Sequence, residues 1–288
     1  MTTTERAMES RTPSIIDLDA ELAKLTMFRR SPNSTAAERT GSVAQLATYR
    51  DGLLLAIKAA GKDHWERHLA GDELIHILDG SATLEIVCDD GPPKSFALRA
   101  GMLAVIPQGA WHRFLSFEGN THLGATPFPG ESIEFDVDDP RGAKPAGDPE
   151  SRLPSIIDLA AEVAKLTMFR GRTPQTTNAE RQGSSTRLAS YRDGALGTTK
   201  FAGKGHWEKH PADELIHILD GAATLETMSA DGRQSSALEA GLLIVIPQAT
   251  WHRFSSSGGV TLMGATPSPS EIVELDVDDP RRAAREPA

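Results

Sequence analysis

The chain has 288 residues, 39% of them hydrophobic, so it can bury a sizeable core in one large or two medium domains. This composition excludes fibrous, collagen-like and wholly disordered proteins. A formal charge of −10 opposes binding to a phosphate backbone, and no basic stripe with interleaved aromatic residues offsets it, so we expect no nucleic-acid partner.

The cysteine content and the apolar segments indicate where the protein works. The single Cys88 excludes an internal disulfide and any cysteine-rich metal site, which favours a reducing compartment. The first residues have no apolar signal-like core, and no segment approaches the length of a membrane span. We therefore predict a cytoplasmic protein without a membrane partner.

The sequence consists of two similar halves. The segment PSIIDLDAELAKLTMFR at Pro13 returns as PSIIDLAAEVAKLTMFR at Pro154, and DELIHILDG, VIPQ, WHRF and GATP also occur in both halves. A period of roughly 140 residues suits a complete domain rather than a solenoid repeat. We predict an N-terminal domain over residues 1–140, a Pro/Gly-rich linker over 141–153 and a C-terminal domain over 154–288.

Each repeat opens with one predicted helix and continues with strands. From Ser14 to Phe28 the apolar residues recur at helical spacing, with Ser14 and Asp17 as candidate N-caps. After it come short runs such as VAQLATY, LLLAIKA, DELIHILDG, ATLEIV, KSFALR and MLAVIP, separated by DG, GK, AG and PQG turn signals. Many brief strands at close spacing predict an all-β sandwich or barrel.

Imidazole and carboxylate side chains are concentrated in two short segments of each repeat. In GKDHWERHLAGDELIHILDG, residues two apart on a strand share a face, so His64, Glu66 and His68 point the same way, and Glu73 opens the next strand. About thirty residues later, WHRF delivers His112. Such groups converging inside one barrel are typical of a site for a borderline or hard divalent ion.

These segments resemble the two motifs of the cupins. The first motif is Gly, five residues, His-x-His, three or four residues, Glu, six residues and Gly; the second is Gly, five residues, Pro-x-Gly, two residues, His, three residues and Asn. Glu73 and Gly80 keep the spacing of six, as do Glu214 and Gly221. The second motif is matched by Gly101, Pro107, Gly109 and His112, and by Gly241, Pro247 and His252. The resemblance covers nearly the whole chain, as in two-domain bicupins. It implies an all-β fold of tandem duplicated double-stranded β-helix (jelly-roll) barrels, each with a short leading helix.

The resemblance also implies a metal-ligand set in each repeat. It assigns His68, Glu73 and His112 to the first site and His210, Glu214 and His252 to the second. The first His of the family's His-x-His pair falls on Glu66 and Glu208, whereas His64 and His206 lie two residues earlier. The fourth ligand is therefore either Glu66/Glu208 or His64/His206. If neither binds, two His and one carboxylate remain, the combination that leaves open positions on non-haem Fe(II). If Glu66 and Glu208 do not bind the metal, they could act as general bases.

Two functional classes follow from the resemblance. The first is a metal-dependent enzyme, most simply a dioxygenase-like oxidoreductase acting on a small oxygenated metabolite, with isomerase and lyase chemistry as alternatives. The second is a non-catalytic protein that binds a sugar or another metabolite. The expected cofactor is a divalent ion (Fe, Mn, Zn or Ni, with Fe(II) favoured), and a homodimer is a possible assembly. A hydrogen-bonded cluster without metal is the simpler alternative for the ligand set, but it would bury carboxylates without a compensating cation. His76 and His217 are interpreted as core residues, and Arg113 and Arg253 as outward-facing.

Overall fold

A computed structural model describes residues 12–88, 91–143, 152–229 and 232–283. These residues divide into two compact units, each containing one ten-stranded sheet. The N-terminal unit comprises the described residues within 17–165 together with 188–192. The C-terminal unit comprises those within 12–16, 166–187 and 193–283.

The secondary structure confirms the predicted all-β class. Within the described ranges, the strands of the first half are β1 (Ser14–Asp17), β2 (Phe28–Arg30), β3 (Val43–Tyr49), β4 (Gly52–Lys62), β5 (Trp65–His68), β6 (Glu73–Ile86), β7 (Lys94–Arg99), β8 (Met102–Ile106), β9 (His112–Pro127) and β10 (Gly130–Ile133). Those of the second half are β11 (Ser155–Asp158), β12 (Phe169–Arg172), β13 (Ser185–Tyr191), β14 (Gly194–Lys204), β15 (Trp207–Lys209), β16 (Glu214–Ser229), β17 (Gly232–Glu239), β18 (Leu242–Ile246), β19 (Trp251–Pro267) and β20 (Glu271–Val273). The helices are α1 (Leu18–Leu22), α2 (Leu159–Ala164) and α3 (Pro280–Ala283), and Pro140–Gly142 forms a 3-10 turn.

The two sheets have matching topologies. In the N-terminal unit the strand order is β10-β5-β9-β6-β8-β11, with β4 on β9, β2 and β3 on β4, and β7 on β6. In the C-terminal unit the order is β1-β18-β16-β19-β14-β12, with β13 on β14, β17 on β16, and β15 on β19 and β20. Long strands such as β6 and β9 bend and continue along the barrel, which closes the sheet around an interior.

A glycine permits the bend in β6. Its pairing with β9 shifts register between Ile77 and Asp79 and again after Gly80, whose φ is +72°. A Cβ at Gly80 would lie 2.2 Å from the Gly119 carbonyl oxygen, so no other residue fits this approach of two strands. Before the bend, Ile75 and Ile77 alternate inward and pack in the buried apolar core of the unit.

The leading helix is shorter than predicted. Ser14–Asp17 is a strand, and only Leu18–Leu22 is helical, so the prediction of a helix from Ser14 to Phe28 is corrected to a strand followed by one short helix. The N-cap is Asp17, whose side chain accepts a hydrogen bond from the Ala20 amide at 2.9 Å. Asp158 caps α2 in the same way, through the Ala161 amide. The short helix expected in each repeat is thus present.

The compact units do not divide at the repeat boundary predicted between residues 153 and 154. Strand β11 pairs antiparallel with β8, with Ile156 opposite Ala104, and therefore belongs to the N-terminal unit. Ile156 also packs against the apolar core of that unit. The start of the second repeat covers the edge of β8, whose main-chain groups would otherwise lack partners. No helix among the described residues has both the length and the apolar character needed to cross a membrane.

Candidate metal centre

Strand β5 presents its polar side chains to the barrel interior because its other face is fixed by stacked rings and cations. Trp65 and Arg67 alternate with Glu66 and His68 along the strand. The guanidinium of Arg113 lies 4.4 Å from the Trp65 ring centroid, and that of Arg67 lies 4.6 Å from the Trp111 ring centroid. The resulting outer layer orients Glu66 and His68 inward.

Four predicted ligands converge in the N-terminal unit. Glu66 pairs with His112 across β5 and β9, and Glu73 begins β6. Nε2 of His112 lies 3.0 Å from a carboxylate oxygen of Glu73 and 3.8 Å from one of Glu66, and Nε2 of His68 lies 3.5 Å from Glu73. Glu66, His68 and His112 each offer a ligand atom within 4.8 Å of the other two.

The C-terminal unit repeats this arrangement. Glu208, His210 and His252 also offer ligand atoms within 4.8 Å of one another. Nε2 of His252 lies 3.0 Å from a Glu214 oxygen and 4.0 Å from a Glu208 oxygen, and Nε2 of His210 lies 3.6 Å from Glu214. Each unit therefore holds a candidate metal site made of two imidazoles and two carboxylates.

Hydrogen bonds on the far side of each group define which atoms face inward. Nδ1 of His112 lies 3.1 Å from the Ala110 carbonyl, which can only accept, so Nδ1 carries the proton and donates it. The Thr126 hydroxyl donates to Oε1 of Glu73 at 2.6 Å. Within the described ranges, Nε2 of His68 and His112 and Oε2 of Glu73 are buried and make no hydrogen bond.

The C-terminal unit shows the same pattern of outer contacts. The Thr266 hydroxyl donates to Glu214 at 2.6 Å, and Nδ1 of His252 donates to the Thr250 carbonyl at 3.0 Å. Ser270 lies 3.0 Å from Nδ1 of His210. Nε2 of both histidines and Oε2 of Glu214 are again buried without a hydrogen bond among the described residues. Buried polar atoms seldom lack partners, so these clusters fit a cation that binds them all.

The charged groups hold one another ionised. Burial alone would raise the pKa of Glu73, but His68 and His112 outweigh burial and lower it. Burial opposes protonation of His112, yet the Glu73 and Glu66 carboxylates raise its pKa. The pKa of Glu208 falls to about 2, because His206, His252 and His210 outweigh the effect of burial. Such mutually perturbed groups in a cleft are typical of functional sites.

Both groups lie in cavities. The N-terminal cavity has a volume of about 690 Å³ and is lined by Glu66, His68 and Glu73 together with His64 and His122. The C-terminal cavity has a volume of about 370 Å³ and is lined by His206, Glu208 and Glu214. Both volumes suit a small-molecule ligand.

Of the other side chains singled out from the sequence, His64 borders the N-terminal cluster, whereas His76 and Arg113 lie outside it. His64 turns Nδ1 towards Asp63, at 3.2 Å, and Nε2 towards Glu66, at 3.6 Å. Burial opposes protonation of His64, but Asp63 and Glu66 raise its pKa to about 9. His76 is buried but does not line the N-terminal cavity. Arg113 lies in the outer layer on Trp65, as its predicted outward direction requires, but it is buried there and donates to Glu85 at 2.6 Å.

Sequence reasoning missed the side chains that surround the ligands. Thr126 and Thr266 belong to the repeated GATP segment, which had served only to mark the duplication. Arg30 and Asp63 form a buried ion pair beside the N-terminal cluster, and both line its cavity. A lone Thr or Arg carries no signal in a single repeat, although its recurrence at equivalent positions could have identified it.

No protein-family model matches the chain, and no curated protein matches it. Among solved structures, a cupin 2 conserved barrel domain protein from Leptotrichia buccalis is similar at 12% identity, with 93% of this chain and 99% of that chain covered and a TM-score of 0.51. A mutant of oxalate decarboxylase from Bacillus subtilis is similar at 14% identity, with 85% of this chain and 76% of that chain covered and a TM-score of 0.50.

These likenesses extend over most of the chain at low identity and bear on the fold. They agree with the two ten-stranded sheets and with the motif spacing around Glu73 and Glu214. The chain therefore has the fold of these structures, with two tandem barrels of the cupin type.

Proposed function

We propose that each barrel binds one divalent metal ion and that the chain is a metal-dependent enzyme acting on a small oxygenated metabolite. The observation that carries this proposal is the set of buried, unpaired atoms around Nε2 of His112. Nδ1 of His112 donates to the Ala110 carbonyl, so Nε2 faces the Glu73 carboxylate, 3.0 Å away. A metal ion bound between these atoms would replace the Nε2 proton and compensate the buried carboxylates.

The proposed ligands are His68, Glu73 and His112 in the first barrel, with Glu66 as the fourth. Glu66 is favoured over His64 because Glu66 lies within 4.8 Å of both histidines, whereas His64 contacts Asp63 and the side of Glu66 away from them. The equivalent set in the second barrel is His210, Glu214, His252 and Glu208. Two imidazoles with carboxylates suit Fe, Mn, Zn or Ni, and Fe(II) is the ion we favour.

A bound ion would supply Lewis acidity to a substrate oxygen and, if it were iron, the capacity to activate dioxygen. On this basis we favour dioxygenase-type oxidation. The residues of the chain supply binding and proton transfer: the cavity encloses the substrate, and a Glu66 oxygen not engaged by metal can accept a proton from a substrate hydroxyl. Protonated His64 lies against the same carboxylate and keeps it ionised.

A lyase or isomerase is the second candidate, and the His64–Glu66 pair favours it. A protonated imidazole 3.6 Å from a carboxylate is an acid and a base side by side, which moves protons without any need for oxygen. His206 and Glu208 repeat this geometry in the second barrel, at 3.5 Å. Both reactions use the proposed metal site and differ in their requirement for dioxygen.

Metal analysis of the purified full-length chain tests the proposal. We expect about two divalent ions per chain, and about one in each of the matched variants His112→Ala and His252→Ala. The variant Glu66→Gln should weaken metal binding more than His64→Gln, since only Glu66 is a proposed ligand. A folded chain without metal would overturn the proposal, and unchanged metal content in His112→Ala would refute the ligand set.

The reaction is then identified with the metal-loaded chain. We expect oxygen uptake, measured with an oxygen electrode, in the presence of enediols or catechols. Turnover of a small carboxylic acid under nitrogen, with release of carbon dioxide, would replace the dioxygenase assignment by that of a lyase. Ligand binding without turnover of either kind would assign the cavities to a non-catalytic metabolite-binding protein.

A further inference from the structure

The two cavities share an arginine at one position. Arg30 in β2 pairs in register with Gly61, and Arg172 in β12 pairs in register with Gly203. Gly61 and Gly203 open the equivalent segments GKDHWERH and GKGHWEKH. Each arginine lines the cavity that holds the proposed metal ligands of its own unit.

The partner of this arginine differs between the units. In the N-terminal unit, Arg30 forms a buried ion pair with Asp63. The equivalent of Asp63 in the C-terminal unit is Gly205, since the amides of Asp63 and Gly205 donate to the carbonyls of Phe114 and Phe254 at 2.9 and 2.8 Å, respectively. The second repeat therefore keeps the cation and lacks the anion.

Arg172 occupies the space left by the missing carboxylate. A Cβ built on Gly205 would lie 3.4 Å from Cζ and 3.5 Å from Nη2 of Arg172, so the guanidinium lies directly over this glycine. The guanidinium carbon also lies 4.6 Å from the ring centroid of Phe201, which supports the plane of the group. Among the described residues, no carboxylate lies within ion-pair distance of Arg172.

The surroundings leave this cation without neutralisation on the cavity side. Burial and the nearby charge of Arg181 together lower the pKa of Arg172 to about 10, against the opposing effect of Glu208, so the group remains charged at neutral pH. Thr199 lines the same cavity, and its buried hydroxyl makes no hydrogen bond among the described residues. The equivalent residue in the N-terminal unit is Ile57.

We propose that the C-terminal barrel binds the carboxylate of a small anionic molecule at Arg172. The N-terminal barrel lacks this subsite, because Asp63 pairs with the equivalent cation, Arg30. A planar guanidinium with free N–H groups binds a carboxylate through two parallel hydrogen bonds. The inference rests on the proposed function for one point only, namely that the remainder of the anion extends towards Glu208 and the proposed metal. It names a carboxylic acid as the substrate class of the second site.

Calorimetric titration of the full-length chain with malonate, and with uncharged malonamide as control, tests this subsite. We expect malonate to bind and malonamide not to bind. The variant Arg172→Gln should weaken malonate binding at least tenfold, whereas the matched variant Arg30→Gln should leave it within twofold of wild type. Circular dichroism of each variant confirms that it is folded.

A second pair of variants keeps Arg172 and restores its partner. Gly205→Asp should weaken malonate binding at least tenfold, because the new carboxylate occupies the guanidinium, whereas Gly205→Ala adds only a methyl group and should stay within threefold. The inference is overturned if Arg172→Gln binds malonate as wild type does, if Arg30→Gln weakens binding equally, or if wild type does not prefer malonate to malonamide. Titrations of chelator-treated and untreated samples, with metal content measured on each, separate this failure from that of the proposed function: Arg172-dependent binding in a metal-free chain would uphold the subsite alone.

Discussion

Replacement of His122 by leucine should make the protein less sensitive to acid. His122 is buried, stacks on Phe114 at 5.8 Å between ring centroids, and lies with Nδ1 2.5 Å from Oδ1 of Asn120. Burial lowers its pKa from 6.5 to about 4, and the charge of Arg30 acts in the same direction. The C-terminal barrel has Leu262 at the equivalent register position, so the substitution introduces the residue that the second repeat already carries there.

The magnitude follows from proton linkage. As the pH falls, the unfolded chain takes up a proton on this side chain near pH 6.5, whereas the folded chain does not until about pH 4. Folding stability is therefore lost as the pH decreases through this interval. Two-state linkage gives a cost of about 2 kcal/mol at pH 5 and only about 0.2 kcal/mol at pH 7.

Urea denaturation at pH 5 and pH 7, followed by far-ultraviolet circular dichroism, measures the effect. The unfolding free energy of wild type should decrease between these pH values by about 2 kcal/mol more than that of His122→Leu, since all other titrating groups are shared. His122→Gln serves as a second non-titrating variant and should show the same reduced pH dependence, which separates the loss of titration from a change in packing. Equal pH dependence in wild type and both variants would refute this reasoning.

Two further predictions concern the ligand-supporting threonine and a strand contact. Thr126→Val removes the hydroxyl that donates to Glu73, a hydrogen bond to a charged acceptor worth about 1.5–3 kcal/mol, so metal affinity of the N-terminal site should fall roughly 10- to 100-fold. Competition with a chromophoric chelator in a His252→Ala background measures it, and an unchanged affinity would contradict the role given to Thr126. Gly52→Ala places a Cβ 2.0 Å from the Thr126 carbonyl oxygen and should reduce the unfolding free energy by about 2 kcal/mol or more, whereas Gly142→Ala meets nothing within 4 Å and should change it by less than about 0.5 kcal/mol. Urea denaturation compares the two alanine variants, and equal stabilities would show that strands β4 and β9 can separate at this point without cost.

The duplication, the all-β class and the positions of the polar clusters could be predicted from the sequence because each rests on short-range patterns. Alternation along β5 places Glu66 and His68 on one face whatever the rest of the chain does. The motif spacing also predicted that His112 converges with them, and in the structure it pairs with Glu66 across β5 and β9. By contrast, the helix expected from Ser14 failed because apolar residues at helical spacing also fit a strand followed by a single helical turn.

Contacts between distant segments could not be predicted in this way. The pairing of β11 with β8 depends on which strand edge is left uncovered, and no periodicity reports that. The role of Asp63 depends on its ion pair with Arg30, which lies in β2, over thirty residues earlier in the sequence. Arg113 follows an inward-facing histidine and should alternate outward, yet Trp65 and Glu85 cover it, because the outer face of this sheet carries its own packed layer.

The two barrels differ in the charge and the side chains around the same proposed ligands. Phe201, at the position of Ala59 in the first barrel, is 1% exposed and lines the smaller cavity of about 370 Å³. The Phe201 ring also packs against the guanidinium of Arg172, so one aromatic side chain both lines the cavity and positions the cation. The cavity of the first barrel is about 690 Å³, and Asp63 neutralises the corresponding cation, Arg30, in a buried ion pair. Substitutions behind an unchanged set of donor atoms alter which ligand reaches those atoms, because selectivity depends on the surrounding charge and space as much as on the donors.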